Sequence, residues 1–316
     1  SKGGLSMLTD EEYYQGAFLG MVMGQSGISK FSATELAKQL SGKSAYASLG
    51  AGEYEHSVNA GGSPKDIETI LQLVYLNFTA PRFDETDLQN MKNMYVPYFK
   101  NMESDPNYIV SREFQKTMYG NHARRQITSA AQIEALNIPT LQAIHSKLYG
   151  YADDFRFVIV GNVDLETLKP LVEKYIGSLP TSKKVEYAVV DDGVRFVDGN
   201  VVNDFRTPMQ QPKVSVRLVY SGDMENNAKN RMIVELLSRA LDSRYMISIR
   251  EEKGGTYGVS VQGGIEKYPT EEYMMAIVFD TNEQLADELV EICDKEIKKI
   301  AEEGPLAEDV AKSKEF

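Results

Sequence analysis

The 316-residue sequence contains a single cysteine, no tryptophan and only three histidines. One cysteine excludes any disulfide within the chain. Cys293 lies on an apolar stripe with Leu289, Val290 and Ile297. We therefore predict a buried, unreactive thiol. A lone cysteine does not distinguish the cytoplasm from the periplasm, because a large periplasmic protein can fold without crosslinks.

Long apolar runs and excess positive charge are also absent. No stretch approaches the roughly 20 apolar residues that span a bilayer, and no signal peptide is recognisable. The net charge is −12, which disfavours nucleic acid and anionic membranes as partners. The length and the 42% hydrophobic content suit a globular protein with two cores. Because the chain begins at Ser1 rather than Met, we expect that cleavage or truncation produced its N-terminus.

The sequence also lacks the common catalytic motifs. His56, His122 and His145 form no His-x-x-Glu-His or His-Glu-x-x-His pair, so we predict a structural or surface role for each and no metal site. The run 41–44, Ser-Gly-Lys-Ser, resembles the end of a phosphate-binding loop. However, Ala37 stands where that motif needs glycine and a helix precedes it, which argues against nucleotide binding. No Ser-His-acid or Cys-His arrangement is evident from local context.

Apolar periodicity predicts a mainly helical first part and a strand-richer second part. In the first part we predict helices within 10–42 and over 64–79, 84–104, 106–118, 129–135, 139–148 and 164–176, with strands over 44–50 and 53–60 and a buried strand over 155–160. In the second part we predict strands over 213–220, 256–264 and 272–280 and helices over 227–251 and 282–303.

The same order of helix, glycine-bearing turn, two strands and amphipathic helix occurs over 33–79 and over 227–303. We therefore predict an α+β fold of two similar domains, each an antiparallel sheet packed against helices. Polar and turn-forming residues over 179–184 place the predicted boundary between 182 and 183, which gives domains 1–182 and 183–316. A helix that starts at Gly304 is expected to be truncated at Phe316.

The segment from Arg250 to Tyr257 is the most informative part of the chain. Gly254 and Gly255 suit a helix C-cap, because a residue without Cβ enters the left-handed conformation at low cost. The reversal would bring Arg250 and Tyr257 towards one surface, where both could donate hydrogen bonds to a carbonyl or carboxylate. The alternative is an ordinary helix-to-strand turn with a surface arginine.

Several segments, in this order, carry a resemblance that covers nearly the whole chain. They are 31–36 (Phe-Ser-Ala-Thr-Glu-Leu), 40–43, 61–68 (Gly-Gly-Ser-Pro-Lys-Asp-Ile-Glu), 78–84, 158–164 and 249–257. Together they resemble the C-terminal half of a pitrilysin/insulinase-family zinc metallopeptidase of the bacterial periplasmic type. The resemblance implies a metalloprotease/processing-peptidase-like fold and two related halves that close around a peptide. It favours a periplasmic or cell-envelope location and leaves the cytoplasm open.

The chain departs from the family's zinc motif. Gly16, Leu19 and Gly20 stand where the N-terminal half carries His, Glu and His, and Tyr98 falls near its distal Glu by a looser match. The resemblance therefore implies that no catalytic residue, metal ligand or cofactor belongs to this chain, with zinc expected in the N-terminal half of the full protein. It also implies that N-terminal strands are missing from the first domain.

In this family an Arg and a Tyr of the C-terminal half reach the substrate near the zinc, and Arg250 and Tyr257 match that pair. The resemblance implies the non-catalytic half of a zinc endopeptidase, inactive by itself. Its partners would be an N-terminal catalytic half, fused or separate, and a peptide substrate. Two alternatives remain open: a separate inactive partner or scaffold subunit of a two-subunit peptidase, and a structural descendant without peptide contact.

Overall fold

The computed structural model describes residues 1–182 and 186–305. The chain divides into two compact units, Ser1–Asp204 and Phe205–Phe316. The sequence places its boundary earlier, between 182 and 183. Residues beyond that point bond to the first unit: the Tyr187 N–H donates to the Asp154 carboxylate at 3.1 Å, and the Val197 N–H to the Met118 carbonyl at 2.9 Å. Most of the helix predicted from Gly304 lies outside the described residues.

The first unit is mainly helical. Side-chain caps explain where several helices begin: Thr9 and Ser32 each form a reciprocal capping box, with Glu12 and Glu35 respectively. The elements are α1 (Asp10–Ser26), α2 (Ala33–Gln39), β1 (Ala45–Ala51), β2 (His56–Gly62), α3 (Ile67–Thr79), α4 (Glu85–Met102), α5 (Pro106–Met118), α6 (Ala130–Glu134), α7 (Ile138–Tyr149) and α8 (Leu165–Tyr175), with short 3₁₀ turns at Gly4–Met7, Pro64–Asp66 and Ala123–Arg125.

Strands β1 and β2 form an antiparallel pair in which Leu49 lies opposite Val58. Helices α1 and α3 pack against this pair. The core between them contains the fully buried Leu19 and Tyr149, and the Tyr149 hydroxyl donates to the Gly50 carbonyl at 2.8 Å. The buried hydroxyl is thus satisfied, as an interior phenol requires.

The second unit contains a three-stranded antiparallel sheet in the order β3-β5-β4. Its elements are β3 (Val214–Asp223), α9 (Ala228–Tyr245), a π-helix (Met246–Glu251), β4 (Val259–Glu266), β5 (Glu272–Thr281) and α10 (Ala286–Glu303). Ile277, Leu289 and Cys293 are fully buried in its core. The predicted burial of Cys293 is confirmed, and this burial raises the pKa of its thiol to about 12, which disfavours the reactive thiolate at neutral pH.

The element order repeats between the two units, as the sequence predicts. In the first unit α2, β1, β2 and α3 follow one another, and in the second α9, β4, β5 and α10 do. The predicted α+β fold, with an antiparallel sheet and packed helices in each unit, is therefore confirmed. No described helix combines the length and the apolar character that a bilayer crossing requires.

The buried strand predicted over 155–160 is wrong. The segment has no strand assignment, and Val158 and Val160 are 75% and 92% exposed. Phe155 and Phe157 do pack on Phe78 of α3, with ring centroids 5.0 and 6.3 Å apart. The alternation of side chains is therefore present, but among the described residues no neighbouring strand pairs with the segment.

Candidate functional site

Arg250 lies on the π-helix that continues α9. In this helix the Glu252 N–H donates to the Ile247 carbonyl at 2.9 Å, the wide i→i+5 bond of a π-helix. Buried side chains anchor the segment in the core of the second unit. Tyr245 and Ile249 are fully buried, and the Tyr245 hydroxyl donates to the Cys293 carbonyl at 3.0 Å. Arg250 is exposed beside these anchors, so a fixed backbone presents a free side chain.

The two glycines after the helix have different roles. Gly254 has φ of +59°, and its N–H donates to the Arg250 carbonyl at 3.1 Å, so it is the left-handed residue that ends the helix. Gly255 has no such φ. A Cβ there would lie 2.8 Å from Cδ1 of Leu289, and its carbonyl accepts from the Thr281 hydroxyl at 2.6 Å. Close packing, rather than capping, explains the second glycine.

Tyr257 lies in the loop before β4 rather than in the strand, which begins at Val259. Its side chain is fully exposed. The strand behind it is fixed to α9 by a hydrogen bond of 3.0 Å from the Val261 N–H to the Asp242 carboxylate. Tyr257 is therefore a large aromatic side chain held in solvent by an ordered strand and turn.

The charged residues near the turn differ in whether they form ion pairs. Lys253 forms an ion pair with Glu288. Arg244, one turn and a half earlier, is buried and lies 3.0 Å from Glu296. Within the described residues no ion pair or side-chain hydrogen bond engages the Arg250 guanidinium, which leaves its donors available.

The positions that match the family's zinc motif are used for helix packing. A Cβ at Gly16 would lie 2.5 Å from Cδ1 of Leu8, and one at Gly20 would lie 2.4 Å from the Leu49 carbonyl oxygen. Leu19 between them is fully buried. At Gly20 a ligand side chain does not fit, because α1 lies directly on β1 there, and the Gly16 position faces the side chains of Leu8 and Leu5. Glycine and leucine side chains also offer no atom that binds a metal ion. Zinc is therefore not a cofactor that these residues can hold.

The remaining candidates are one exposed tyrosine and two histidines that hydrogen-bond within the fold. Tyr98 is 55% exposed on α4. His145 is buried and its Nε2 lies 2.8 Å from the Asn77 carbonyl oxygen. His122 accepts the Arg124 N–H at the start of a 3₁₀ turn. Across residues 1–182 and 186–305, no group of three or more His, Cys, Asp or Glu side chains is arranged to hold a metal ion.

His56 is the most unusual histidine. Its ring is buried among Tyr149, Phe155 and Tyr187, with centroids 4.8 to 5.4 Å away. Burial lowers the pKa of His56 to about 4, so the ring is neutral, and its Nδ1 accepts the Gly4 N–H at 3.3 Å. It is a core residue with an imidazole inside an aromatic cluster.

An open cleft of about 830 Å³ lies in the first unit between α4, α5 and residues 121–134. Several of its charged groups have partners: Arg112 and Lys116 lie near Glu113, and the Glu103 carboxylate accepts the Ala130 N–H at 2.7 Å. Neither Arg250 nor Tyr257 lines it. We regard it as a groove between helices rather than a catalytic site.

Sequence reasoning found the turn between Arg250 and Tyr257 but missed two structural features, one in this turn and one that also involves α1. The π-helix was predicted as part of an ordinary helix over 227–251, because a one-residue widening leaves little trace in apolar spacing. The close packing at Gly16, Gly20 and Gly255 was also missed, since a glycine in a pattern does not show which atoms approach it.

Comparison with known proteins agrees with this architecture. The family model described as the peptidase M16 inactive domain matches residues 135–316. A zinc protease PQQL-like protein of Arabidopsis thaliana is 22% identical over 98% of this chain and 31% of its own length. The crystal structure of the periplasmic protease PqqL from Escherichia coli superposes with a TM-score of 0.87 and 18% identity, covering 100% of this chain and 34% of that one.

The first half of the same Escherichia coli protease also superposes, with a TM-score of 0.69 at 12% identity, covering 99% of this chain and 69% of that one. At these identities the superpositions show a shared fold. The chain spans about a third of the length of these longer relatives. Because the family match covers more than half of the sequence, this chain belongs to the peptidase M16 inactive-domain family.

Proposed function

We propose that this chain is the non-catalytic C-terminal half of a zinc-dependent endopeptidase, and that it contributes Arg250 and Tyr257 to the binding of a peptide substrate. Support comes from membership of an inactive-domain family and from relatives named as zinc proteases. Glycines and a buried leucine at the positions of the zinc motif support the same assignment.

The observation that carries the proposal is the presentation of two hydrogen-bond donors on an anchored turn. A fully exposed tyrosine and an arginine without a described partner are of little use to the fold itself. The backbone that holds them is nevertheless tightly packed, through Ile249, Gly255 and Val261. Because the backbone below these side chains is already ordered, less backbone entropy is lost when they engage a ligand.

The chemistry of the pair fits a peptide backbone. The Arg250 guanidinium offers several N–H donors in a plane, and the Tyr257 phenol offers one O–H. Both can donate to a substrate carbonyl, and more strongly to the negatively charged oxygen that forms when that carbonyl is attacked. Neither is suited to activate water, so the pair would assist a reaction whose base and metal ligands belong to another polypeptide segment.

The proposed partners are those that would supply the missing catalytic groups and the substrate. An N-terminal catalytic half, in the same polypeptide or a separate subunit, would supply zinc, and the substrate would be a peptide. The Escherichia coli structural relative is a periplasmic protease, which favours a periplasmic location for the assembled enzyme.

The test is to replace each donor in the complete protease. We expect Arg250→Ala to lower kcat/KM by about 100-fold or more and Tyr257→Phe by about 10-fold or more, because donors to a developing oxyanion contribute at this scale. The melting temperature should not change, since both side chains are exposed.

Arg239→Ala is the matched control, because Arg239 is also exposed on α9 but pairs with Glu235. It should leave kcat/KM unchanged. If Arg250→Ala and Tyr257→Phe also leave kcat/KM unchanged, the role in substrate binding is refuted.

The alternative is a separate inactive subunit that binds or scaffolds the substrate for another chain. The coding sequence upstream of Ser1 separates the two: a fused His-x-x-Glu-His half supports the first, and a nearby start codon supports the second. A purely structural role would be contradicted by peptide binding to this chain that Arg250→Ala abolishes.

A further inference from the structure

The turn between Arg250 and Tyr257 is tied to the core of the second unit at Gly255. The Gly255 N–H donates to the Ile249 carbonyl at 3.3 Å, and the Gly255 carbonyl accepts the Thr281 hydroxyl at 2.6 Å. Gly255 is buried, whereas the side chains of Arg250 and Tyr257 are exposed. Both backbone groups of this glycine are therefore bonded inside the protein, and the chain reaches solvent on either side of it.

Thr281 is a polar residue at a core position. It ends β5, where it continues the buried row of Met275, Ile277 and Phe279 on one face of the strand. Such a row favours an apolar residue, because a buried hydroxyl costs free energy unless it forms a hydrogen bond. Among the residues that the structure describes, the one hydrogen bond of this hydroxyl is its donation to Gly255.

The Gly255 carbonyl depends on this hydroxyl. Across residues 1–182 and 186–305 no backbone N–H donates to it, and its burial keeps water away. A buried carbonyl that loses its donor is unfavourable. Without the Thr281 hydroxyl, the turn would have to move until water reaches the carbonyl. That movement would displace Arg250 and Tyr257, which the turn joins.

A second threonine orders the backbone at Tyr257. The Thr256 hydroxyl donates to the Gly258 carbonyl at 2.9 Å and accepts the Gly258 N–H at 3.3 Å. A hydroxyl that bonds the backbone two residues further along closes a small turn. Tyr257 is the residue inside this turn. Its backbone is therefore restrained locally by Thr256, and the turn as a whole is restrained by Thr281.

We propose that Thr281 is a positioning residue, whose hydroxyl holds the turn in the conformation that presents Arg250 and Tyr257 together to a substrate oxygen. This inference rests on the function proposed for that pair and adds a buried residue that acts through it. Strand β5 is the central strand of its sheet, so the restraint comes from an ordered element rather than from the loop. A displacement of about 1 Å in such a donor can lower a rate on the order of 100-fold.

The kinetic test uses two variants of Thr281 in the complete protease. Thr281→Val removes the hydroxyl and nearly keeps the shape, and we expect it to lower kcat/KM about tenfold. Thr281→Ser keeps the hydroxyl and should stay within about twofold of wild type. Wild-type kcat/KM in Thr281→Val, in a protease that Arg250→Ala impairs, would overturn the proposal.

Thr79→Val is the matched control. Thr79 of α3 also donates its hydroxyl to a backbone carbonyl, that of Tyr75, at 2.9 Å. Its replacement removes the same kind of hydrogen bond from the first unit and should leave kcat/KM unchanged. All variants are assayed at a temperature at which each of them is folded.

A double-variant background separates positioning from a merely structural role. Thr281→Val is repeated in a protease that already carries Arg250→Ala and Tyr257→Phe. If Thr281 acts through this pair, its replacement should change kcat/KM by less than about twofold there, because the effects of coupled residues are not additive. A structural residue would give the same loss in both backgrounds, and that result would overturn the proposal.

Hydrogen exchange followed by mass spectrometry reports on the turn independently of activity. We expect the peptide 250–258 to exchange at least about tenfold faster in Thr281→Val and at the wild-type rate in Thr281→Ser. The peptide 228–245, which covers α9, should not change. Equal exchange of 250–258 in wild type and Thr281→Val would overturn the proposal. Faster exchange there, with unchanged kcat/KM in Arg250→Ala and Tyr257→Phe, would refute the proposed function while supporting the restraint by Thr281.

Discussion

Two arginines near the end of the same helix show how residues of one type divide between fold and function. Arg244 is buried and lies 3.0 Å from Glu296, so its charge is neutralised inside the second unit. Arg250 is exposed on the π-helix and has no described partner. Sequence alone does not separate the two, because both lie within one helical pattern predicted over 227–251. Burial and pairing, which only the fold provides, make Arg250 the candidate.

His56 is a second residue whose surroundings decide its behaviour. An ordinary histidine has a pKa near 6.5, whereas burial lowers that of His56 to about 4. Between these values the unfolded chain binds a proton that the folded chain excludes. The free energy of unfolding therefore falls as the pH is lowered through this window, and the full stabilisation is present above about pH 6.5.

We expect wild-type protein to lose about 1 kcal/mol of stability per pH unit through His56 between pH 6 and pH 4.5, on the order of the linkage limit. His56→Gln should be less stable at neutral pH, because it loses aromatic packing, but its stability should depend less on pH. Urea unfolding at several pH values measures both slopes. Equal slopes in wild type and variant would contradict the assignment of a neutral, buried His56.

At the scale of elements, the contact of α1 with β1 explains why Gly20, one of the positions that match the zinc motif, is a glycine. The helix approaches the strand so closely that a Cβ at Gly20 would meet the Leu49 carbonyl oxygen. Gly24, one turn further along the same helix, is exposed and has no atom within 4 Å of its Cβ position. The two glycines thus form a matched pair.

Gly20→Ala should destabilise the protein by about 1–3 kcal/mol, because the added methyl group forces the helix away from the strand. Gly24→Ala should be neutral or stabilising by up to about 1 kcal/mol, as alanine is the better helix former in open space. Chemical denaturation of both variants measures the difference. Similar effects at the two positions would show that α1 does not pack on β1 in this way.

The element scale also shows what a sequence pattern predicts and what it omits. Helices such as α3 and α10 were predictable because their apolar residues recur at helical spacing and their first turns carry capping or acidic residues. The segment 155–160 is an apolar run that predicts a buried strand equally well, but it has no strand partner among the described residues. Periodicity reports which side chains share a face, whereas a strand also needs a neighbour for its backbone.

At the scale of the whole chain, the α+β class and the repeated element order were predictable, since both rest on the sequence of periodicities. The predicted boundary between 182 and 183 comes before the division of the two compact units at 204, and residues after 182 bond to Asp154 and Met118. The role of Arg250 and Tyr257 came from a family resemblance and remains a proposal. The fold supplies what the resemblance lacks, namely an anchored turn and zinc-motif positions filled by packing.

The central point of the proposed function is that this chain assists peptide hydrolysis without carrying the catalytic machinery. The most direct measurement is a zinc titration of the purified, metal-free chain by equilibrium dialysis, with peptide cleavage assayed on the same samples. We predict no stoichiometric zinc binding and no cleavage, because Gly16, Leu19 and Gly20 provide no ligand and no base. One tightly bound zinc ion per chain, with peptide cleavage that a chelator abolishes, would contradict the account.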